Sequence, residues 1–171
     1  ELGGKSPTIV LADADLDKTI PLAARSIFMF GGQACIGSSR FYVERPIYDA
    51  FVKRFAMIAS KVGMGDLRDP NTVIAPIISD RQRQRVKDHI ADAITNDTEY
   101  GLSSAIFTKN IDRAFHFARN INAGMCHING PTIHDEAHVP FGGNGESGVG
   151  REGTDADMEA MTELKWVTIQ L

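Results

Sequence analysis

The sequence contains only two cysteines, Cys35 and Cys126, in 171 residues. Secreted domains that depend on disulfides carry more, so this scarcity favours a cytoplasmic protein with reduced thiols. No apolar run approaches the 18 or so residues that cross a membrane, and we find no signal-peptide pattern, so we expect no membrane partner. The sequence also lacks an excess of positive charge, with 18 Lys and Arg against 22 Asp and Glu. A protein that binds nucleic acid through a basic surface is therefore not expected.

Patterns typical of strands and of helices alternate along the chain. This alternation predicts an α/β fold, with a mainly parallel sheet flanked by helices in a three-layer domain. Pro21 is expected to kink the first helix unless that helix starts later. Apolar or alternating runs predict strands over 7–12, 39–44, 102–108, 125–129 and 165–171. Helices are predicted from Asp13–Asp17 to Phe30, from Pro46, from the capping box Ser79–Gln82, after Asn110 and near 155–164.

Two apparent binding motifs lie in the C-terminal third. The glycines between Gly143 and Gly153 match G-x-G-x-x-G twice, but the dinucleotide motif needs a strand directly before and a helix directly after it. A chance match in a glycine-rich loop is favoured. The segment His134–His138, HDEAH, spaces two histidines four residues apart, yet its glutamate is misplaced for the known zinc motifs. Because Pro131 and Pro140 flank this segment, we predict a loop and no metal site.

The surroundings of Cys35 differ from those of Cys126. Cys35 lies between the pair Gly31–Gly32 and the small residues Gly37–Ser39. Backbone N–H groups in such a turn can stabilise a thiolate and bind an oxyanion. Cys126 stands in an apolar strand, where a thiol is most often a small core residue. A cysteine that forms a thioester also needs a base, for which Glu1 is a candidate, although Glu1 can equally be an exposed first residue.

Two motifs in register resemble the aldehyde dehydrogenase superfamily. They are E-L-G-G-K-S-P at Glu1–Pro7 and G-G-Q-A-C at Gly31–Cys35, and in that family this glutamate and this cysteine form the catalytic pair. Further segments follow in the family's order, namely NDTEYGLSSAIFT, AGMCHIN, PFGGNGESGVGREG and TELKWVTIQ. The segment HINGPTIHDEAHVPFGG is more similar to the branch that acts on benzaldehyde, salicylaldehyde and vanillin.

The resemblance implies the NAD- or NADP-dependent oxidation of an aldehyde, here an aromatic one, to a carboxylic acid. Cys35 would attack the carbonyl carbon while its backbone N–H helps to hold the oxyanion. Glu1 would activate the water that hydrolyses the thioester on Cys35. In the same way the resemblance places Leu2 and Gly3 beside the nicotinamide, and Ile36 and Phe141 in the wall of the substrate pocket.

The chain departs from the family pattern in two places. The family's cofactor-binding region and its oxyanion-hole asparagine lie upstream of E-L-G-G-K. Within the chain, the family's E-I-F-G-P segment, whose glutamate holds the nicotinamide ribose, is missing after Ile94. We therefore predict a truncated aldehyde dehydrogenase catalytic domain over 1–160, with a deletion junction near 93–96. The remainder, 161–171, is predicted to be an oligomerisation strand that joins copies of the chain in a homo-oligomer.

Two other functions stay open at this point. The chain could be a non-catalytic interaction module whose C-terminal strand adds to the edge of another sheet. It could also be a thiol esterase, in which Cys35 and Glu1 turn over activated esters without NAD.

Overall fold

The computed structural model describes residues 2–92, 98–153, 155–163 and 165–169. Four parallel strands form the main sheet in the order β2-β1-β4-β5, and a short antiparallel pair, β3 and β6, lies beside it. The predicted α/β fold with a parallel sheet is confirmed. The strands are β1 (Ser6–Val10), β2 (Ser38–Val43), β3 (Tyr100–Gly101), β4 (Ser103–Phe107), β5 (Met125–Ile128) and β6 (Asn144–Gly145).

Helices cover both faces of the sheet, as a three-layer domain requires. On the first face, α1 and α2 pack over β1 and β4 around a core that includes Val10, Ile20 and Phe51. On the second face, α4 packs through Ala114 against Leu11 and Ile106. The helices are α1 (Leu16–Phe28), α2 (Arg45–Ala59), α3 (Asp80–Asp92), α4 (Ile111–Asn120) and α5 (Asp155–Met161).

The capping residues foreseen from the sequence begin three of these helices. Asp15 accepts a hydrogen bond from the Asp17 amide at 3.0 Å, and Asn110 accepts one from Arg113 at 3.0 Å. The Ser79 hydroxyl accepts one from the Gln82 amide at 3.2 Å. These bonds satisfy amide groups that have no partner within the first turn of a helix.

Two expectations concern Pro21 and the C-terminal segment. Helix α1 continues across Pro21, whose ring lies on the exposed side of the helix. The strand predicted over 165–171 is not formed in the part that the structure describes, 165–169. An alternating sequence becomes a strand only when a neighbouring strand supplies hydrogen bonds, and no described strand of this chain pairs with it. Its Trp166 side chain is 91% exposed.

The sequence predicts that this chain does not cross a membrane. None of the helices in the described ranges combines the length and the apolar character that a membrane span requires.

An aspartate joins β1 to β4 at the carboxyl ends of these strands. Asp13 accepts hydrogen bonds from the Thr108 hydroxyl at 2.9 Å and from the amides of Lys109 at 2.9 Å and Asn110 at 3.0 Å. Asn129 pairs with the backbone of Thr108 through both atoms of its side-chain amide, each at 2.9 Å. Burial acts to raise the pKa of Asp13, but the hydrogen bonds from Thr108, Lys109 and Asn110 together hold this pKa below its ordinary value.

We expect Asp13→Asn to lower the free energy of unfolding by about 1–3 kcal/mol at neutral pH, because charge-assisted hydrogen bonds are lost. Since the folded state depresses the pKa of Asp13, its contribution is complete above the unfolded value of about 3.9. The contribution disappears as the pH falls through the folded value. Urea denaturation at pH 7 and at acid pH measures this difference, which should shrink in acid. The exposed Asp49→Asn on α2 is the control, and an equal loss there would contradict the prediction.

Candidate active site

The amino ends of two parallel strands carry the two motifs that the sequence singled out. The E-L-G-G segment leads into β1, and the turn that contains Cys35 leads into β2. A Cβ atom built on Gly4 would lie 3.2 Å from the carbonyl oxygen of Cys35 and 2.6 Å from Cβ of Leu102, which directly precedes β4. Residues 31 positions apart in the sequence therefore touch, and glycine is required at this contact.

The backbone reverses sharply between α1 and Cys35. Phe30, Gly31 and Gly32 are consecutive residues in the left-handed region, with φ of 54°, 65° and 74°. Glycine adopts this conformation without strain, whereas a residue with a Cβ, such as Phe30, is strained by about 1–2 kcal/mol. The strained Phe30 was not foreseen, because a phenylalanine before Gly-Gly reads as the end of an apolar helix. The reversal presents Cys35 on an exposed turn.

The turn itself is short and closed by one backbone hydrogen bond. The amide of Gly37 donates to the carbonyl of Ala34 at 3.0 Å, so Cys35 and Ile36 occupy the two central positions. Cys35 is exposed, whereas Ile36 is 8% exposed. The predicted nucleophile thus faces solvent, and the predicted pocket residue beside it anchors the turn in the protein interior.

Open space adjoins the N-terminal motif. Leu2 is 74% exposed, and its amide donates to the carbonyl of Ser147 at 3.0 Å. A Cβ built on Gly3, whose φ is +98°, would meet no atom within 4 Å. Glu1, the predicted base, lies outside the described residues. Leu2 and Gly3 therefore border open space.

Buried hydroxyl groups hold the strands together beneath the Cys35 turn. The Ser38 hydroxyl is 2.8 Å from the Thr8 hydroxyl and 3.1 Å from that of Thr132. The Ser103 hydroxyl donates to the Thr132 carbonyl at 3.2 Å. Thr132 thus ties the loop after β5 to the start of β2. Sequence reasoning missed this residue, since a single threonine in a loop carries no periodic or motif signal.

The glycine-rich loop reaches the same end of the sheet. A Cβ on Gly143 would lie 3.3 Å from Cδ1 of Leu102, the residue that also lies beneath Gly4. The Ser147 hydroxyl accepts a hydrogen bond from the Gly101 amide at 2.9 Å. The two G-x-G-x-x-G matches fall within this loop, which contains only the two-residue strand β6. No strand of the parallel sheet directly precedes these glycines, so the loop lacks the context of the dinucleotide motif.

A cavity of about 380 Å³ lies between β5 and the loop that contains HDEAH. Phe141 and His127 line it. Burial, and to a smaller extent the neighbouring His134, lower the pKa of His127. The Glu136 carboxylate lies 3.1 Å from Nε2 of His134 and 3.3 Å from Nε2 of His138. The segment is a loop, as predicted.

Among the residues that the structure describes, no group of three or more His, Cys, Asp or Glu side chains is placed to hold a metal ion.

The two thiols differ in exposure, and neither forms a disulfide. Cys126 is half-buried on β5. Burial raises the pKa of the Cys126 thiol, and a hydrogen bond with Ser104 offsets part of this effect. Because the thiolate is the reactive form, Cys126 is expected to react slowly.

We predict that iodoacetamide alkylates Cys35 at least about ten times faster than Cys126 at neutral pH, since exposure and thiolate fraction control the rate. Mass spectrometry of the two tryptic peptides after timed quenching measures the two rates separately. The Cys126→Ala variant checks that the Cys35 rate is independent of the second thiol. Equal rates in the folded protein would contradict the prediction, and equal rates in urea are the expected reference.

The sequence of this chain is similar to those of known proteins. The model of the aldehyde dehydrogenase family matches residues 1–95 and 91–167. The chain belongs to the aldehyde dehydrogenase family. It is 33% identical over 225 positions to vanillin dehydrogenase from Pseudomonas sp. strain HR199, covering 99% of this chain and 47% of that protein.

Solved structures of aldehyde dehydrogenases share the fold. The salicylaldehyde dehydrogenase of Pseudomonas putida G7, complexed with salicylaldehyde, matches with a TM-score of 0.92 and 30% identity, over 99% of this chain and 46% of its own. The Mycobacterium tuberculosis aldehyde dehydrogenase, complexed with NAD+, matches with a TM-score of 0.86 and 26% identity, over 95% and 46% of the two chains. The chain thus spans about half the length of the relatives that it matches.

Proposed function

We propose that this chain is the part of an NAD- or NADP-dependent aldehyde dehydrogenase that carries the nucleophile, Cys35, and the general base, Glu1. The observation that carries the proposal is the contact between Gly4 and the carbonyl of Cys35, which brings the E-L-G-G motif alongside the cysteine turn. An aromatic aldehyde is the proposed substrate, since the similar proteins include vanillin and salicylaldehyde dehydrogenases.

The chain's own residues would act in two stages. The Cys35 thiolate forms a bond to the carbonyl carbon, and the carbonyl electrons move to oxygen, where the Cys35 backbone N–H can donate a hydrogen bond. After the hydride has left this carbon, the product is a thioester on Cys35. Glu1 then removes a proton from water, which attacks the thioester and releases the carboxylic acid and the thiolate.

The residues present fit the reactive end of the proposed cofactor. Leu2 is exposed, and the space beside Gly3 is open, as a planar ring stacked on this segment would require. Leu2 and Gly3 are the residues that would contact the nicotinamide. When bound, NAD or NADP accepts the hydride from the aldehyde carbon.

We also infer an internal deletion near 93–96, a segment that lies outside the described residues. The alignment with vanillin dehydrogenase has 225 positions and the chain has 171 residues, so at least 54 positions have no residue in this chain. The two family matches meet at 91–95, which supports this location.

The test of the proposed activity is aldehyde-dependent reduction of NAD or NADP. The chain is compared alone and as a chimera in which vanillin dehydrogenase supplies the upstream half and the internal segment. We expect the chimera to oxidise salicylaldehyde and vanillin in preference to acetaldehyde. Hydrolysis of an activated ester without NAD by the chain alone, with no aldehyde oxidation by the chimera, would favour the thiol esterase instead.

The exposed C-terminal segment supports a second role, as a strand that joins copies of the chain. Residues 165–169 include Trp166, Val167 and Ile169, all exposed in the single chain. We predict that Trp166→Asp shifts the sedimentation coefficient at micromolar concentration from an oligomer to the monomer, because a charge replaces a large apolar contact. Analytical ultracentrifugation measures this, with the exposed Met57→Asp on α2 as the control. A monomeric parent chain would contradict this role.

A further inference from the structure

The second face of the sheet is covered only in part. Helix α4 lies over one side of it, and beside this helix runs a groove of about 860 Å³ whose floor includes Ile9, Leu11 and Ile106. The groove continues over β1 and β2 into a cavity of about 280 Å³, which Arg40 and Tyr42 line. We call these two cavities together the second-face groove. On the first face, by contrast, α1 and α2 cover the same strands.

The crossover connections between the parallel strands indicate which structural element would cover this groove. The connection from β1 to β2 crosses the first face through α1, and the connection from β4 to β5 runs in the opposite direction and crosses the second face through α4. Both choices follow from the right-handedness of parallel crossovers. A further parallel strand beyond β2 that returned to β4 through a helix would run in the direction of the α4 crossover. Its helix would therefore lie on the second face, over β2 and β1.

The residues that line the groove include positive charges, which favour an occupant with a negative charge. Lys5 and Arg40 both line the smaller cavity, and the Arg40 guanidinium lies 5.9 Å from the centre of the Tyr42 ring. Nε of Arg40 is buried and has no hydrogen-bond partner among the described residues. A buried donor without an acceptor is costly, so an occupant that presents a carboxylate here would be stabilised.

The residues that follow the inferred deletion junction line the second-face groove. Thr98, the first described residue after 93–97, lines the smaller cavity together with Tyr100. The chain therefore re-enters the fold at the edge of the groove and proceeds directly into β4. The segment of at least 54 positions that vanillin dehydrogenase has and this chain lacks would rejoin the fold at this place.

We propose that the second-face groove is a docking surface for an amphipathic helix, supplied by a separate chain, with an apolar side toward Ile9 and Tyr42 and a carboxylate toward Arg40 and Lys5. Such a helix would be contained in the segment that related dehydrogenases carry at the junction. The proposal rests on the inferred internal deletion. It does not depend on catalysis by Cys35.

The test is direct binding of that segment. The probe is the synthetic segment of the Pseudomonas strain HR199 vanillin dehydrogenase that aligns to the junction, labelled with fluorescein and titrated with the full chain. We expect a saturable rise in fluorescence anisotropy. Tyr42→Asp should weaken binding at least about tenfold, since a central aromatic contact is replaced by a charge that repels the proposed carboxylate.

A matched variant tests whether the loss of peptide affinity is specific to the groove. Tyr48 on α2 is 43% exposed and Tyr42 is 52% exposed, and each has an arginine beside its ring. Tyr48→Asp should therefore leave the affinity unchanged. Arg40→Gln is the second groove variant, and circular dichroism checks that each variant is folded.

Three outcomes would overturn the proposal. They are the absence of saturable binding, an equal loss of affinity in Tyr48→Asp, and sedimentation showing that Tyr42→Asp dissociates a dimer of this chain without peptide. In the last case the groove would be an interface between two copies. The readout needs neither aldehyde nor cofactor, so a failure of the proposed catalytic function would leave it unaffected.

Discussion

Replacing Cys35 with alanine is expected to lower aldehyde oxidation by the chimera by at least about 10⁴-fold, because no other group replaces a covalent nucleophile. The rate is measured from the absorbance of the reduced cofactor with salicylaldehyde in excess. Cys126→Ala is the matched control and should leave the rate unchanged. Unimpaired oxidation in Cys35→Ala would show that this thiol has no covalent role.

The proposed base gives a different kinetic pattern, which separates its role from that of the cysteine. In Glu1→Gln the thioester still forms, but the water that hydrolyses it is no longer activated. We therefore expect a burst of about one equivalent of reduced cofactor per chain, followed by slow turnover. A loss of the burst itself would assign Glu1 to the first stage.

Replacing Gly124 with alanine is expected to lower the free energy of unfolding by about 3 kcal/mol or more, since overpacking against backbone cannot be relieved by a side-chain rotation. A Cβ at this position would lie 1.9 Å from the carbonyl oxygen of Gly142 and 2.9 Å from Cα of Gly143. The glycine-rich loop would have to move away from the start of β5. Chemical denaturation monitored by circular dichroism measures the loss.

Gly130→Ala is the matched control for this substitution. The nearest atom to a Cβ on Gly130 is Cβ of His127, at 3.8 Å, which is an ordinary contact. We expect a change within about 1 kcal/mol there. Equal effects of the two substitutions would mean that the loop yields easily at Gly124.

The sequence predicted the local structure better than the contacts between distant segments. Strand and helix order follow from apolar periodicity, and the caps Asp15 and Asn110 follow from side-chain chemistry within one turn. That the E-L-G-G-K segment lies beside the Cys35 turn was expected only from the family resemblance, which pairs Glu1 with Cys35, because nothing local in either segment refers to the other. Thr132 was missed for the same reason.

The predicted C-terminal strand depends on distant contacts in the same way. The alternation in 165–169 describes a segment that can pair, but pairing needs an edge that the sequence of the segment does not specify. The continuation of α1 through Pro21 reflects packing, since Ile20, Ala23 and Ala24 beside it are buried and hold the helix against the sheet. Tertiary burial here outweighs a local preference.

The long-range hydrogen bonds described above show how an internal deletion changes the entropy of loop closure. The bond between Ser38 and Thr132 spans 94 positions, and that between Asp13 and Thr108 spans 95. With a further segment of 54 positions between them, the entropy of closing these loops would be less favourable by only about 0.4 kcal/mol, since closure depends on the logarithm of loop length. A shortened chain therefore closes the same contacts without penalty. What such a chain loses is buried apolar area, which a second molecule can restore.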